Sequence, residues 1–204
     1  MSLFSLLTEP QKMKAHIDDY SGKVKLESRL SDLFTSARNR PAIILCIGTD
    51  RSTGDALGPL IGTHLSRLNL PQLKVYGTLD EPVHATNLQE NIQLIQQSYV
   101  NPFIIAIDAC LGRMDSIGCI TLASGPLKPG AGVHKKLPEV GEAHITGIVN
   151  VGGFMEYMVL QNTRLNLVWR MSENISTLIS HSYLKVRYKE NLANDKPSSA
   201  GSPL

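Results

Sequence analysis

Ile43-Ile44-Leu45-Cys46-Ile47-Gly48-Thr49-Asp50-Arg51-Ser52-Thr53-Gly54-Asp55-Ala56-Leu57-Gly58-Pro59 decides how this chain is read. Five apolar residues, three of them β-branched, stop at a glycine. A polar loop follows, then an apolar pattern at helical spacing that opens on Pro59. A short continuous apolar run bounded by turn residues is a buried strand, and proline without its N–H is tolerated in a first helical turn. The unit is therefore strand, glycine-rich loop, helix, with the helix starting between Asp55 and Gly58. Phe103-Ile104-Ile105-Ala106-Ile107-Asp108-Ala109-Cys110 repeats the first half of the pattern, an apolar run ending at an aspartate. If the two strands are parallel neighbours, Asp55 and Asp108 meet at one edge of a sheet.

Outward from this unit, strands alternate with helices, the signature of a mostly parallel sheet covered on both faces. Strands are expected at Ala42–Ile47, Leu73–Leu79, Phe103–Asp108, Ile117–Leu122 and Ile145–Val149. The link to the fourth, Gly112-Arg113-Met114-Asp115, is too short for a crossover helix, so that strand is expected antiparallel to its predecessor. The helix after the first strand should bury Leu57, Leu60, Ile61, Leu65 and Leu68. The next, about Thr86 to Tyr99, should bury Leu88, Ile92 and Ile95. A further helix follows the turn Gly152-Gly153, and a last one, about Met171–Tyr188, should bury Ile175, Leu178, Ile179 and Tyr183. The expected fold class is thus α/β, a three-layer αβα sandwich on a mostly parallel sheet of about five strands. Residues 1–40 read as an N-terminal extension with one packed helix through Leu30, Leu33, Phe34 and Ala37. Residues 41–190 read as a single α/β domain, and 191–204, rich in Asn, Pro, Ser and Gly, as a disordered tail.

Composition narrows the function classes. With 42% hydrophobic and 19% charged residues, a chain of 204 residues is globular and long enough for one substantial core. A formal net charge of +2, with basic residues scattered, argues against a nucleic-acid partner. No apolar stretch approaches the ~20 residues that cross a bilayer, and the first ten residues lack the pattern of a signal peptide. Three cysteines (Cys46, Cys110, Cys119) without a Cys-x-x-Cys pair indicate reduced thiols, and a cytoplasmic protein is expected.

Asp55 by itself reads as a helix N-cap, since a carboxylate there satisfies free backbone donors. Asp108 shifts the balance, because ligands of open α/β sheets bind beyond the carboxyl ends of strands, where the connections diverge to opposite faces. Two carboxylates in one crevice cannot both ionise cheaply, so one keeps a proton near neutral pH. The charged member can take a proton from water while the protonated one polarises a carbonyl or protonates a leaving nitrogen. Peptide hydrolysis needs both roles and no metal or cofactor. Asp55 and Asp108 are the candidate catalytic residues. Asp50, Arg51 and Gly54 in the first loop, and Gly130 and Gly132 in Lys128-Pro129-Gly130-Ala131-Gly132, are candidates for holding substrate. Phosphate binding fits poorly: five residues separate Gly48 from Gly54, and Asp55 stands where a phosphate loop has lysine. The dinucleotide pattern fails at Asp50. His84, after the second strand, could join Glu81 and Asp80 as a metal ligand, whereas His64 reads as a packed core residue. His144 could cap the cleft.

Together, Gly48–Pro59, Ile105–Ala109, Lys128–Val133 and Gly147–Gly153 resemble the YyaC-type sporulation proteins of endospore-forming bacteria, which are similar to the spore germination protease. The resemblance spans roughly residues 40–165 and is strongest at Asp55-Ala56-Leu57-Gly58-Pro59 and Ile107-Asp108-Ala109. It implies a phosphorylase/hydrolase-like fold, shared with the hydrogenase-maturation endopeptidases. It also implies an aspartate pair at Asp55 and Asp108, and a protein or peptide substrate such as small acid-soluble spore proteins. The cytoplasm of the sporulating cell or forespore would be its place, and homo-oligomers its form of assembly. The maturation endopeptidases bind nickel of their substrate through acidic residues and a histidine, which implies a metal role for His84. Two alternatives stand beside the peptidase: an inactive protease fold that binds a peptide or partner, and a metal-dependent maturation peptidase.

Overall fold

A computed structural model describes residues 12–130 and 137–194. The strands are β1 (Met13–His16), β2 (Ala42–Cys46), β3 (Leu73–Tyr76), β4 (Phe103–Gly112), β5 (Cys119–Ser124) and β6 (Ala143–Val151). The helices are α1 (Tyr20–Ser36), α2 (Leu57–Arg67), α3 (Leu88–Ser98), α4 (Glu156–Gln161) and α5 (Leu165–Asn194). The six strands form one sheet in the order β1-β5-β6-β4-β2-β3. β3, β2, β4 and β6 are mutually parallel, and β5 alone runs against the rest.

Each central strand alternates between two apolar layers, as burial on both faces requires. Ile44, Ile105, Ile107, Ile145 and Val149 face a core built with Leu26, Leu30 and Phe34 of α1, Leu57, Ile61 and Leu65 of α2, and Ile175, Ile179 and Tyr183 of α5. Ile43, Leu45, Ile104 and Ala106 face Leu88, Ile92 and Ile95 of α3, together with Leu127 and Val140. The result is the α/β sandwich of phosphorylase/hydrolase-like type. Phe34 sits edge-on between Tyr183 (5.3 Å) and Phe103 (6.4 Å), joining α1 and α5 to the start of β4.

Several boundaries differ from expectation. The sheet has a sixth strand, Met13–His16, which lines the edge beside β5. Its four residues are too few to show a period, and one of them is charged. Residues 13–37 therefore share the sheet and core of the rest, with Ala15, Ile17 and Ala37 buried. β5 does oppose β4 in direction, but β6 lies between them, because it pairs with both. Leu68 stays half exposed, since α2 ends at Arg67 and the chain turns away. α5 begins at Leu165 and continues through Asn194, so Asn191–Asn194, expected in the tail, are helical. Residues 195–204 lie outside the described residues.

Candidate active site

The carboxyl edge of β2 is where the chain divides. From β2 it passes through α2 to β3 on one side, and it returns through α3, on the opposite face, to β4 on the other. That divergence leaves a crevice between β2 and β4. β2 ends at Cys46, paired with Ile107, and the Ile47 N–H donates to Ile107 O at 2.7 Å. β4 continues five residues beyond that pairing, to Gly112, because β6 accompanies it to Val151 through an irregularity at Cys110/Leu111. Asp108 is therefore not the last residue of its strand, as expected, because β4 runs on to Gly112. It lies inside β4, one residue past the end of β2, paired with Thr146 on one side and open on the other.

The Gly48–Ala56 loop fills that opening. The Gly48 N–H donates to Val83 O (2.8 Å) and the Thr49 N–H to Asp55 O (3.1 Å), closing the loop on itself. Gly48 has φ +150°, and a Cβ there would come within 2.0 Å of Asp55 O, so the closure requires glycine. Ala56, not Asp55, occupies the N-cap of α2, and no side chain caps the helix. The capping role that Asp55 would ordinarily take is absent. Its carboxyl is left to the crevice.

Asp108 senses the charge of Asp55. Burial, and then the charge of Asp55, push the pKa of Asp108 up to about 8, while backbone N–H groups of Ala109 and Gly130 act in the opposite direction. Asp55 is also raised, by burial, against the effect of the Ser52 hydroxyl. Burial thus favours the protonated form of both carboxyls, and of the more deeply buried Asp108 the more strongly. Cys110, two residues along β4, is raised by burial as well, with Thr146, Asp108 and Lys12 as further influences. A thiol held in its neutral form is a poor nucleophile.

Of the candidate substrate-binding residues, Asp50 and Arg51 are exposed at the tip of the Asp55 loop, and Gly130, with φ +73°, presents its N–H to Asp108. Gly54 is placed otherwise. It is buried against α4, its N–H donates to Leu160 O at 2.9 Å, and a Cβ would lie 2.8 Å from Leu160 Cδ2. It anchors the loop and offers no donor to a ligand. Gly132 lies outside the described residues. Ser52, whose hydroxyl bears on Asp55, was not singled out from the sequence, where a serine in a polar loop carries no distinguishing signal. Its Oγ is buried close to Asp55 but makes no well-formed hydrogen bond among the described residues.

His84 follows Val83, which bridges to Ile47, so it stands at the same edge. Its Nδ1 lies 2.9 Å from Thr86 Oγ1, and among the described residues no group of three or more His, Cys, Asp or Glu side chains could hold a metal ion. Among the described residues the donors needed for a metal step are not assembled there. His144 is engaged elsewhere, its Nδ1 2.9 Å from Gly125 O. His64 is partly buried edge-on to Trp169 at 5.2 Å, with Nε2 unpartnered among the described residues. A cavity of about 550 Å³ opens at the opposite edge, where β2 begins, lined by Arg38, Ala42, Lys74, Tyr99 and Tyr183. It is remote from the carboxylate pair and from the carboxyl ends of the strands. No helix among the described residues is long and apolar enough to cross a membrane.

Comparison with known proteins agrees with this architecture. Residues 14–178 match the family described as "Protein of unknown function (DUF1256)". The chain is 51% identical over 178 residues to "Uncharacterized protein YyaC" of Bacillus subtilis (strain 168), which covers 87% of this chain and 86% of the relative. Among solved structures it is similar to the [NiFe] hydrogenase maturation protease HycI from Thermococcus kodakarensis KOD1, with TM-score 0.51 and 16% identity over 76% of this chain and 99% of that one. At that identity the likeness speaks for the fold, which is protease-like.

Proposed function

The chain belongs to the DUF1256 family, and from the carboxylate pair at its strand switch point we propose that it is an aspartate-dependent endopeptidase acting in sporulation or germination. The observation that carries the reading is Asp108, buried at the β2–β4 crevice beside Asp55, its carboxyl pushed toward the protonated form by burial and by the neighbouring charge. The protease-like fold supports it. The spore setting rests on the sequence resemblance to sporulation proteins.

In this mechanism water is held between the carboxyls, facing the scissile carbonyl. Asp55, ionised, takes a proton from the water as its oxygen bonds to the carbonyl carbon. Asp108, protonated, donates a hydrogen bond to the carbonyl oxygen where negative charge develops. As the tetrahedral intermediate collapses, the C–N bond breaks and the Asp108 proton passes to the leaving nitrogen. The pair ends with one proton, now on Asp55, and transfer back to Asp108 resets the site. Water supplies the oxygen and both protons that the products gain. The Gly130 N–H steadies Asp108 whenever it is charged.

Incubating the full chain with acid-extracted spore proteins and reading the products by mass spectrometry tests the proposal. Discrete cleavage is expected, lost in Asp55→Asn and in Asp108→Asn. Undiminished cleavage in both variants would refute the assignment.

A further inference from the structure

Directly after β6 the chain displays Phe154, Met155, Tyr157 and Met158, with relative exposures of 89%, 53%, 65% and 49%. α4, on which the last two lie, buries none of its residues. Such a concentration of bare apolar surface marks a binding site more often than an accident of folding. Backbone geometry points the same way. Met155 takes a left-handed conformation (φ +56°) without a side-chain cap, an arrangement that disfavours a long L side chain and that recurs at functional sites.

The back of this segment is fixed to the candidate site. Leu160 O accepts the Gly54 N–H one residue from Asp55, and Asn150 Nδ2 donates to Thr163 Oγ1 (3.2 Å) and lies 3.3 Å from Val159 O. Its start is joined to the strand of the other carboxyl, as the Gly152 N–H donates to Gly112 O at 2.8 Å. The Asp55 loop and the end of β4 thus both border the lip, so a peptide lying between the carboxyls runs alongside it. Two of its four side chains are methionines, unbranched and adaptable, which suits a class of apolar partners rather than one shape.

The geometry points to the Phe154–Met158 lip as a substrate-binding wall of the cleft, taking a large apolar or aromatic side chain close to the scissile bond of a peptide. This inference rests on the peptidase reading. The test digests a proteome-derived peptide library with the full chain and with a Phe154→Ser/Met158→Ser double variant, which alters only exposed side chains. Wild-type cleavage sites should be enriched at least threefold in Phe, Leu, Met or Tyr at one subsite, and the double variant should lose that enrichment while still cutting. Cleavage without such enrichment, or enrichment retained by the variant, overturns the lip and leaves the peptidase standing. A binding arm separates the two failures. The Asp55→Asn chain is titrated with a fluorescent peptide containing Phe and Leu and with one in which Ser replaces both. Tighter binding of the first by at least fivefold, abolished by the double substitution, supports the lip even where no peptide is cut, and the peptidase alone then falls. Equal binding of both peptides without cleavage removes lip and peptidase together. Concentration-dependent dimerisation that the double substitution abolishes overturns the inference and assigns the face to a second copy of the chain.

Discussion

Asp108 is the centre of the proposed chemistry because its carboxyl is buried beside a second one. Its pKa, about 8 in the folded protein, compares with ~3.9 for an unfolded chain. Between those values the native state binds more protons than the unfolded state, so stability declines as pH rises across that window and levels off above it. Asp55, also raised, contributes with the same sign. Chemical unfolding at a series of pH values should show this decline, flattened in Asp108→Asn, which has no proton to lose and gains relative stability at alkaline pH. Catalysis should respond to the same groups. Cleavage is expected to fall as pH rises through about 8, when the shared proton leaves, and to fall in acid as Asp55 takes up a second one. A bell-shaped kcat/KM profile is the check, and Asp108→Asn should lower kcat by ~10²-fold or more. Both aspartates were readable as candidates from their place after apolar runs. Their pKa order was not, because it depends on which carboxyl lies deeper and which has a hydroxyl or an N–H beside it.

The elements show where backbone contact replaces side-chain packing. α2 lies so close to the end of β2 that a Cβ on Gly58 would fall 2.1 Å from Ile47 O, and one on Gly62 2.0 Å from Gly77 O. This approach sets α2 directly on the strand ends and brings Asp55 down into the crevice. Gly58→Ala should therefore destabilise the fold by ~2 kcal/mol or more, as overpacking against rigid backbone does, and lower activity by moving the Asp55 loop. Leu68→Ala, on the half-exposed residue just past the same helix, should change stability by less than ~0.5 kcal/mol. Urea unfolding of the two variants side by side distinguishes contact from mere proximity in sequence. Pro59 located the start of α2 to within a residue or two. The length of β4 was not legible, since Ala109-Cys110-Leu111-Gly112 becomes strand only through its pairing with β6.

At the scale of the whole molecule, the first described residues are structural members of the sheet. Ile17 is 1% exposed, and its N–H donates to Gly118 O at 3.0 Å, next to the β1–β5 pairing. Asp18 forms an ion pair with Arg170, and Lys23 Nζ donates to Asn174 Oδ1 at 3.0 Å, so the segment is also fastened to α5. Ile17→Ala should cost ~2–5 kcal/mol, in the range of a central-strand substitution such as Ile105→Ala, and both should unfold in one transition. A separate, earlier transition in the Ile17 variant would show an appendage that melts by itself.

Local chemistry was enough to establish the class of fold and the β2–loop–α2 unit, and to single out the two aspartates as candidates, because apolar runs, glycines and proline act over a few residues. Tertiary structure alone decided that β6 separates β4 from β5, that Met13–His16 joins the sheet, that Gly54 packs on α4, and that Asp108 is the deeper of the two carboxyls. Each of these depends on partners far away in the chain, and a pattern of neighbouring residues carries no record of them.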